Sequence, residues 1–437
     1  MLFRQFVDED LGCGSYLIGD PDTGAAVLVD PSFRVEQYLE AAGEAGLRVE
    51  RVLETHTHAD HLSDHGRLAL EHGVPVSIHP VADPEYAYDA LSDGGVVEVG
   101  SVRIRVVHTP GPRPEHCAFV VDDPLVLTGD SLFVGDAARP DLAVAARDGA
   151  RDLFHSLERS AALGDDIVVY PGHVAGSLCG VAMSPERSTT IGRERQFNHA
   201  LKIDDEQEFV VASSSVTTPR PPTTERVVAL NRGPFVGLPS LPPALNETDG
   251  ATILDVRAFE EHAAGHVPGA LSVPVSGSNF GTKTAFLVAP DERIVLHAAS
   301  AAEAEEAAWK LWAVGLLELE GYVVGIDAPE TLATVEPSEL EAMLSNGDVQ
   351  LVDVREANER DEGYIPGSRN IPYRLLAKTG RDALDMALPV LTICESGPRA
   401  AIAASVLQRE GFDARAVVGG GIPEYTGETV SFRRCGS

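Results

Sequence analysis

Thr55-His56-Thr57-His58-Ala59-Asp60-His61 follows a short strand-like run, Arg51-Val52-Leu53, and packs three imidazoles and a carboxylate into six consecutive positions. Residues two apart share a face of an extended segment and diverge on a helix, so His56 and His58 can converge on one ion from a strand end. Asp60 and His61 then serve a second ion, or hold the ligands of the first in place. A stretch of this density reads as metal chemistry rather than as a solvated polar loop.

Working outward, other strand ends carry similar groups. Ala26-Val27-Leu28-Val29, Val102-Arg103-Ile104-Arg105-Val106, Leu125-Val126-Leu127 and Ile167-Val168-Val169-Tyr170 read as strands, alternating with turns and helical stretches up to about residue 210. Thr128-Gly129-Asp130 sets a carboxylate after one strand, Tyr170-Pro171-Gly172-His173 sets an imidazole after another, and His108-Thr109-Pro110-Gly111 opens a turn. Residues 213–245 are rich in Ser, Thr and Pro and read as a linker laid along a surface, with a boundary near 240.

Beyond that boundary the chain repeats itself. Ile253-Leu254-Asp255-Val256-Arg257, Gly265-His266-Val267-Pro268-Gly269 and Pro274 recur at constant offset as Leu351-Val352-Asp353-Val354-Arg355, Gly363-Tyr364-Ile365-Pro366-Gly367 and Pro372. A parallel α/β unit has been duplicated, with a second boundary near residues 326–337.

Composition narrows the function classes. The 437 residues are too many for one core, and 44% hydrophobic with 23% charged residues is ordinary for globular domains. A net charge of -33 disfavours nucleic acid and anionic membrane partners. No apolar run approaches the roughly 18 residues of a membrane span, and the N-terminus lacks the apolar core of an export signal, so the expected location is cytoplasmic. Cys13, Cys117, Cys179, Cys394 and Cys435 form no CxxC pair, which leaves reduced thiols as the expectation. Whether the chain forms a homo-oligomer is left open.

The heptapeptide followed by Asp130 and His173 resembles the metallo-β-lactamase superfamily over about residues 1–200. Gly129-Asp130-Ser131-Leu132-Phe133 and Ala138-Arg139-Pro140-Asp141 resemble its persulfide dioxygenase group, which is similar to glyoxalase II in fold. The resemblance implies an αββα sandwich and one ferrous ion, Fe2+, held by two histidines and one aspartate. His56 and Asp130 match two of these, and the remaining histidine is expected directly after Thr-Pro-Gly, where this chain has Pro112. Proline has no side-chain lone pair to give, so another group must substitute. The candidates are His116, His58, or the superfamily's other pocket among His58, Asp60, His61 and His173; loss of metal is the further alternative. With zinc, Zn2+, in place of iron, the implied reaction is thioester hydrolysis of the glyoxalase II kind.

Pro389-Val390-Leu391-Thr392-Ile393 reads as a buried strand and Cys394-Glu395-Ser396-Gly397-Pro398-Arg399 as a tight loop opening a helix. Backbone N–H groups and a helix N-terminus there favour thiolate, so Cys394 is the candidate nucleophile and Arg399 its anion clamp. With the Asp-Val-Arg and Gly-x-x-Pro-Gly segments, this resembles the rhodanese family, whose active cysteine carries a persulfide. Four residues separate Cys394 from Arg399, where related phosphatases have five. In the first copy Ala298 falls opposite Cys394 and Glu303 opposite Arg399, so that copy reads as degenerate.

The expected architecture is therefore α/β: a metallo-β-lactamase-like domain with its linker over 1–240, a degenerate rhodanese-like domain over 245–328, and a rhodanese-like domain with a candidate active cysteine over 335–437, both with parallel sheets. The expected function is oxidation of a small thiol persulfide to sulfite at iron, coupled to sulfane-sulfur transfer at Cys394 from a persulfide or thiosulfate. The alternatives are a sulfurtransferase or sulfur carrier with a vestigial metal domain, and a zinc-dependent thioester hydrolase.

Overall fold

The computed structural model describes residues 1–432 apart from 123, 142, 175–182, 216–218 and 249, so Cys179 and Cys435 lie outside the described residues. The fold divides into two compact units, Met1–Pro239 with Leu311–Leu316, and Ser240–Lys310 with the chain from Leu317 onward.

The first unit is built on two six-stranded sheets. One runs in the order Leu2–Asp8, Cys13–Asp20, Ala25–Val29, Arg48–Leu53, Val76–Ile78, Asp89–Ala90. The other runs Thr189–Thr190, Val168–Pro171, Leu125–Gly129, Cys117–Val121, Val102–His108, Val96–Val99. Successive side chains on a strand point to opposite faces, and here both faces are apolar. Ile18, Val27 and Val29 meet Ile104, Val106, Phe119 and Leu127 between the sheets. Leu17, Ala26 and Leu28 pack outward against Val35 and Tyr38 of the helix Val35–Glu44. On the opposite outer face Ala118, Val120 and Val126 receive Leu153, Phe154 and Leu157 of the helix Ala146–Ala161. Each buried Val, Leu, Ile or Phe side chain among these contributes about 1.5–3 kcal/mol on burial. These layers form the expected αββα sandwich.

Strand direction delivers the polar groups to one edge. Ala25–Val29 and Arg48–Leu53 pair in parallel with Val29 opposite Leu53, so Asp30 and Glu54 leave the first sheet side by side. Leu125–Gly129 and Val168–Pro171 are also parallel, with Gly129 opposite Pro171, which brings Asp130 and His173 out together.

The second unit holds two all-parallel sheets, ordered Leu271–Ser272, Thr252–Asp255, Ile294–His297, Leu319–Val323, and Ala333–Val335, Ala414–Val417, Val390–Ile393, Gln350–Asp353, Arg369–Asn370. Asp255 pairs with His297 as Asp353 pairs with Ile393, the register expected of a duplicated unit. In both copies the arginine two residues on binds its aspartate and reaches a glycine carbonyl: Arg257 to Gly265 at 2.8 Å, Arg355 to Gly363 at 2.6 Å. The 213–245 stretch differs from a plain linker. It contains the helix Thr224–Arg232, which buries Val227. The prolines at 221 and 222 precede that helix, where they interrupt nothing.

Candidate metal centre and sulfur-transfer loop

Four potential metal donors converge in the first unit: Cys13 Sγ, a carboxylate oxygen of Asp60, and one ring nitrogen each of His61 and His173, all within 4.8 Å of one another. Cys13 Sγ lies 3.3 Å from His61 Nδ1 and 3.3 Å from His173 Nε2. His173 Nε2 lies 2.8 Å from Asp60 Oδ2, and its Nδ1 lies 2.6 Å from Asp130 Oδ1. The other oxygen of Asp130 faces His56 Nε2 at 3.6 Å. Gly172 permits this approach, since a Cβ there would stand 2.6 Å from Asp130 Oδ1. Burial raises the cost of a charged Asp60, but His173 and His61 outweigh it and hold the carboxyl well below its ordinary range. Burial, with His58 alongside, keeps His56 neutral far below the usual imidazole value.

His58 is committed elsewhere. Its Nε2 sits 3.1 Å from Glu54 Oε2 and 3.4 Å from Asp30 Oδ1. Burial opposes the imidazolium, yet these two carboxylates more than offset it and raise its pKa. Asp30, Glu54 and His58 form a second group of metal-type donors. Asp30 also binds the Thr55 N–H at 2.7 Å and so anchors the start of the heptapeptide. His116 has both ring nitrogens engaged: Nε2 accepts from the Asp130 N–H at 3.0 Å and Nδ1 pairs with Thr109 Oγ1 at 2.8 Å. Burial pushes its pKa down to about 4. Pro112 is buried in the neighbouring turn, where Arg113 binds Glu115 and Glu115 accepts from the Thr57 N–H.

The structure thus brings Asp60, His61 and His173 together, sets Asp130 and His56 beside them, and turns His58 and His116 to other partners. Sequence reasoning missed Cys13, Asp30 and Glu54. Asp30 ends an apolar strand just as Asp130 does, and that signal identifies it. Cys13 has no local signal, because it joins the cluster through pairing of the two chain segments around Cys13 and His173.

In the second unit Cys394 follows the strand Val390–Ile393 and is buried, with its Sγ accepting from the Gly397 N–H at 3.1 Å. The helix Pro398–Arg409 begins at once, directing its N-terminus toward the loop. Gly421 closes against the loop from behind, since a Cβ there would stand 2.3 Å from the Cys394 carbonyl oxygen. Arg399 is held by Glu359 in two hydrogen bonds of 2.7 Å. Burial weighs against its charge, but that pair outweighs it. A cavity of about 320 Å³ opens beside the loop, lined in part by Ser396, Gly397, Pro398, Phe259, Pro274 and Lys283. In the first copy, Ala298 follows the strand Ile294–His297 and the Glu303 carboxylate accepts from the Ala299 N–H at 2.6 Å. His297 is buried, with Nδ1 3.6 Å from Asp255.

The sandwich with this edge cluster places the chain in the metallo-beta-lactamase superfamily, whose model matches residues 9–173, and rhodanese-like domains match residues 243–325 and 336–428. Among relatives, an uncharacterized protein of Mycobacterium leprae is 33% identical over 231 residues, covering 46% of this chain and 99% of that one. Persulfide dioxygenase ETHE1, mitochondrial, of Homo sapiens is 29% identical over 235 residues, covering 53% of this chain and 87% of its own length. The crystal structure of a metallo-beta-lactamase from Staphylococcus aureus subsp. aureus COL superposes with a TM-score of 0.69 at 28% identity, covering 74% of this chain and 98% of that one. Among the described residues no helix is long and apolar enough to cross a membrane.

Proposed function

We propose that the chain is an enzyme of sulfur metabolism that oxidises a low-molecular-weight thiol persulfide to sulfite at its N-terminal metal centre and moves sulfane sulfur through Cys394. The observation that carries this reading is the presence, in one chain, of a buried metal-type donor cluster and a buried cysteine presented at a helix N-terminus. Residues 1–240 would perform the oxidation and 335–437 the transfer, with 245–328 as a non-catalytic copy. The relatives named persulfide dioxygenase support the first assignment and the rhodanese-like matches the second.

The donor set fits a divalent cation of intermediate softness: a sulfur, two imidazole nitrogens and a carboxylate within 4.8 Å. His61 Nε2 and His58 Nδ1 are buried with no hydrogen-bond partner, further signs of a polar pocket not satisfied by protein alone. Asp60, His61 and His173 would hold the ion, with His56 and Asp130 at its margin. When bound, a mononuclear Fe2+ supplies the open coordination positions needed by dioxygen and the terminal sulfur. The protein orients the ligands: Asp130 fixes the His173 ring, and His116 fixes the Asp130 backbone.

At Cys394 the thiolate attacks the outer sulfur of thiosulfate. A new S–S bond forms, the bond to the sulfonate sulfur breaks, and sulfite leaves with the electron pair. A small thiolate then attacks the outer sulfur of the Cys394 persulfide, regenerating the Cys394 thiolate and forming a new persulfide. The Gly397 N–H and the helix N-terminus stabilise the negative sulfur at both stages.

A second reading, a sulfurtransferase with a vestigial metal domain, is favoured by Pro112 alone. Anaerobic purification followed by metal analysis and oxygen uptake with glutathione persulfide separates the two. The oxygenase reading predicts about one iron per chain and uptake that disappears in Asp130→Ala. Metal-free protein without uptake, but with intact thiosulfate:cyanide transfer, establishes the second reading. Bound zinc with thioester hydrolysis instead identifies a glyoxalase II-like hydrolase.

A further inference from the structure

We propose that Cys13 is a metal ligand of this chain, its thiolate joining Asp60, His61 and His173. The inference rests on the metal-dependent reading above and adds a sulfur ligand to it.

Backbone pairing places the sulfur. Cys13 and His173 form an antiparallel bridge, flanked by Gly14 N–H to the Gly172 carbonyl at 2.7 Å and Val174 N–H to the Gly12 carbonyl at 2.9 Å. Cys13 is 2% exposed, so its sulfur has no route to bulk solvent as its main environment.

The spacing matches a coordination polyhedron. With metal–sulfur bonds of about 2.3 Å and metal–nitrogen or metal–oxygen bonds of about 2.0–2.1 Å, ligands at tetrahedral angles stand roughly 3.3–3.6 Å apart, and ligands at right angles, which leave further positions open on the ion, roughly 2.8–3.1 Å apart. The edges here are 3.3 Å from sulfur to each histidine nitrogen, 3.7 Å from sulfur to Asp60 Oδ2, and 2.8 Å from Asp60 Oδ2 to His173. Shifts of a few tenths of an ångström bring these four distances into one coordination shell, and the His61 nitrogen lies within 4.8 Å of the Asp60 and His173 donors. The 2.8 Å edge is a direct hydrogen bond from His173 Nε2–H to Asp60, whose proton an ion would replace.

His173 is presented correctly. Asp130 holds Nδ1–H of His173, so that when an ion takes the place of the proton Nε2 shares with Asp60, the Nε2 lone pair is aimed at the cluster, the arrangement by which carboxylates orient metal-binding imidazoles. A thiolate also biases the choice of ion toward zinc and ferrous iron and away from magnesium or calcium.

Cobalt(II) reports the sulfur ligand directly, because thiolate–cobalt bonds give an intense near-ultraviolet charge-transfer band. Full-length protein reconstituted with cobalt should show this band, and Cys13→Ser should lose it and weaken cobalt retention by at least about tenfold. Cys13→Asp, which offers an oxygen donor, should retain cobalt without the band, separating loss of the ligand from loss of the fold. Cys394→Ser should leave the band unchanged. A wild-type cobalt protein without the band, or a band that survives Cys13→Ser, overturns the assignment of Cys13 while leaving the oxygenase reading intact. Failure of the wild type to bind cobalt, iron or zinc overturns both.

Discussion

Pro112 stands in the buried turn whose Glu115 carboxylate binds the heptapeptide backbone, so a change there acts on the metal edge without crossing a domain. A histidine at this position adds an imidazole donor where proline offers none. Pro112→His should raise bound metal after dialysis by at least about tenfold, read by elemental analysis. Unchanged metal content would show that the position lies out of reach of the ion. The convergence of His56, Asp60, His61 and His173 was legible because each follows a strand-like run in the sequence and carries an imidazole or a carboxylate. Cys13 was not, because a lone thiol in an apolar strand looks like core, and its partners lie 47 to 160 positions away in sequence. His58 and His116 belong to the right neighbourhood, but Glu54, Asp30, Thr109 and the Asp130 backbone claim their nitrogens.

At the scale of elements, the Asp-x-Arg pair ending a parallel strand is the device both rhodanese-like copies share. In the first copy Asp255 is fully buried against Arg257 and His262. Burial raises the cost of its charge, but those partners more than compensate and hold its pKa down to about 2. An unfolded aspartate titrates near 3.9, so the contribution of this carboxylate is complete above about pH 4 and is lost as pH falls through about 2. That difference amounts to about 2–3 kcal/mol. Asp255→Asn should therefore lower stability at neutral pH and flatten its decline between about pH 4 and 2. Urea unfolding followed by fluorescence checks this, since the chain's two tryptophans, Trp309 and Trp312, both lie on the helix Ala301–Ala313 of that copy. An equally steep decline in the variant would contradict it. Strands were readable from their apolar runs to within a few residues. The helix Thr224–Arg232 was not, because the prolines and threonines before it drew attention to loop chemistry, while the helix itself has only 9 residues.

At the scale of the whole molecule, one chain carries a sandwich whose parallel strand pairs gather metal-type donors at one edge, and a duplicated parallel α/β unit in which one copy kept its cysteine. The duplication was legible because the Asp-x-Arg and Gly-x-x-Pro-Gly segments recur at fixed spacing, and the structure pairs their strands in equivalent register. Under the proposed function, persulfide formed at Cys394 feeds the metal centre through a diffusible thiol. The direct test supplies thiosulfate and glutathione as the sole sulfur source and follows oxygen uptake and sulfite. In the transfer step thiosulfate and glutathione give glutathione persulfide and sulfite; in the oxidation step the persulfide, dioxygen and water give glutathione and a second sulfite. Wild-type protein should consume oxygen under these conditions, whereas Cys394→Ser should be silent with thiosulfate yet retain wild-type uptake when glutathione persulfide is added ready-made. Uptake from thiosulfate that survives Cys394→Ser, or wild-type protein inert toward the ready-made persulfide, would contradict the account.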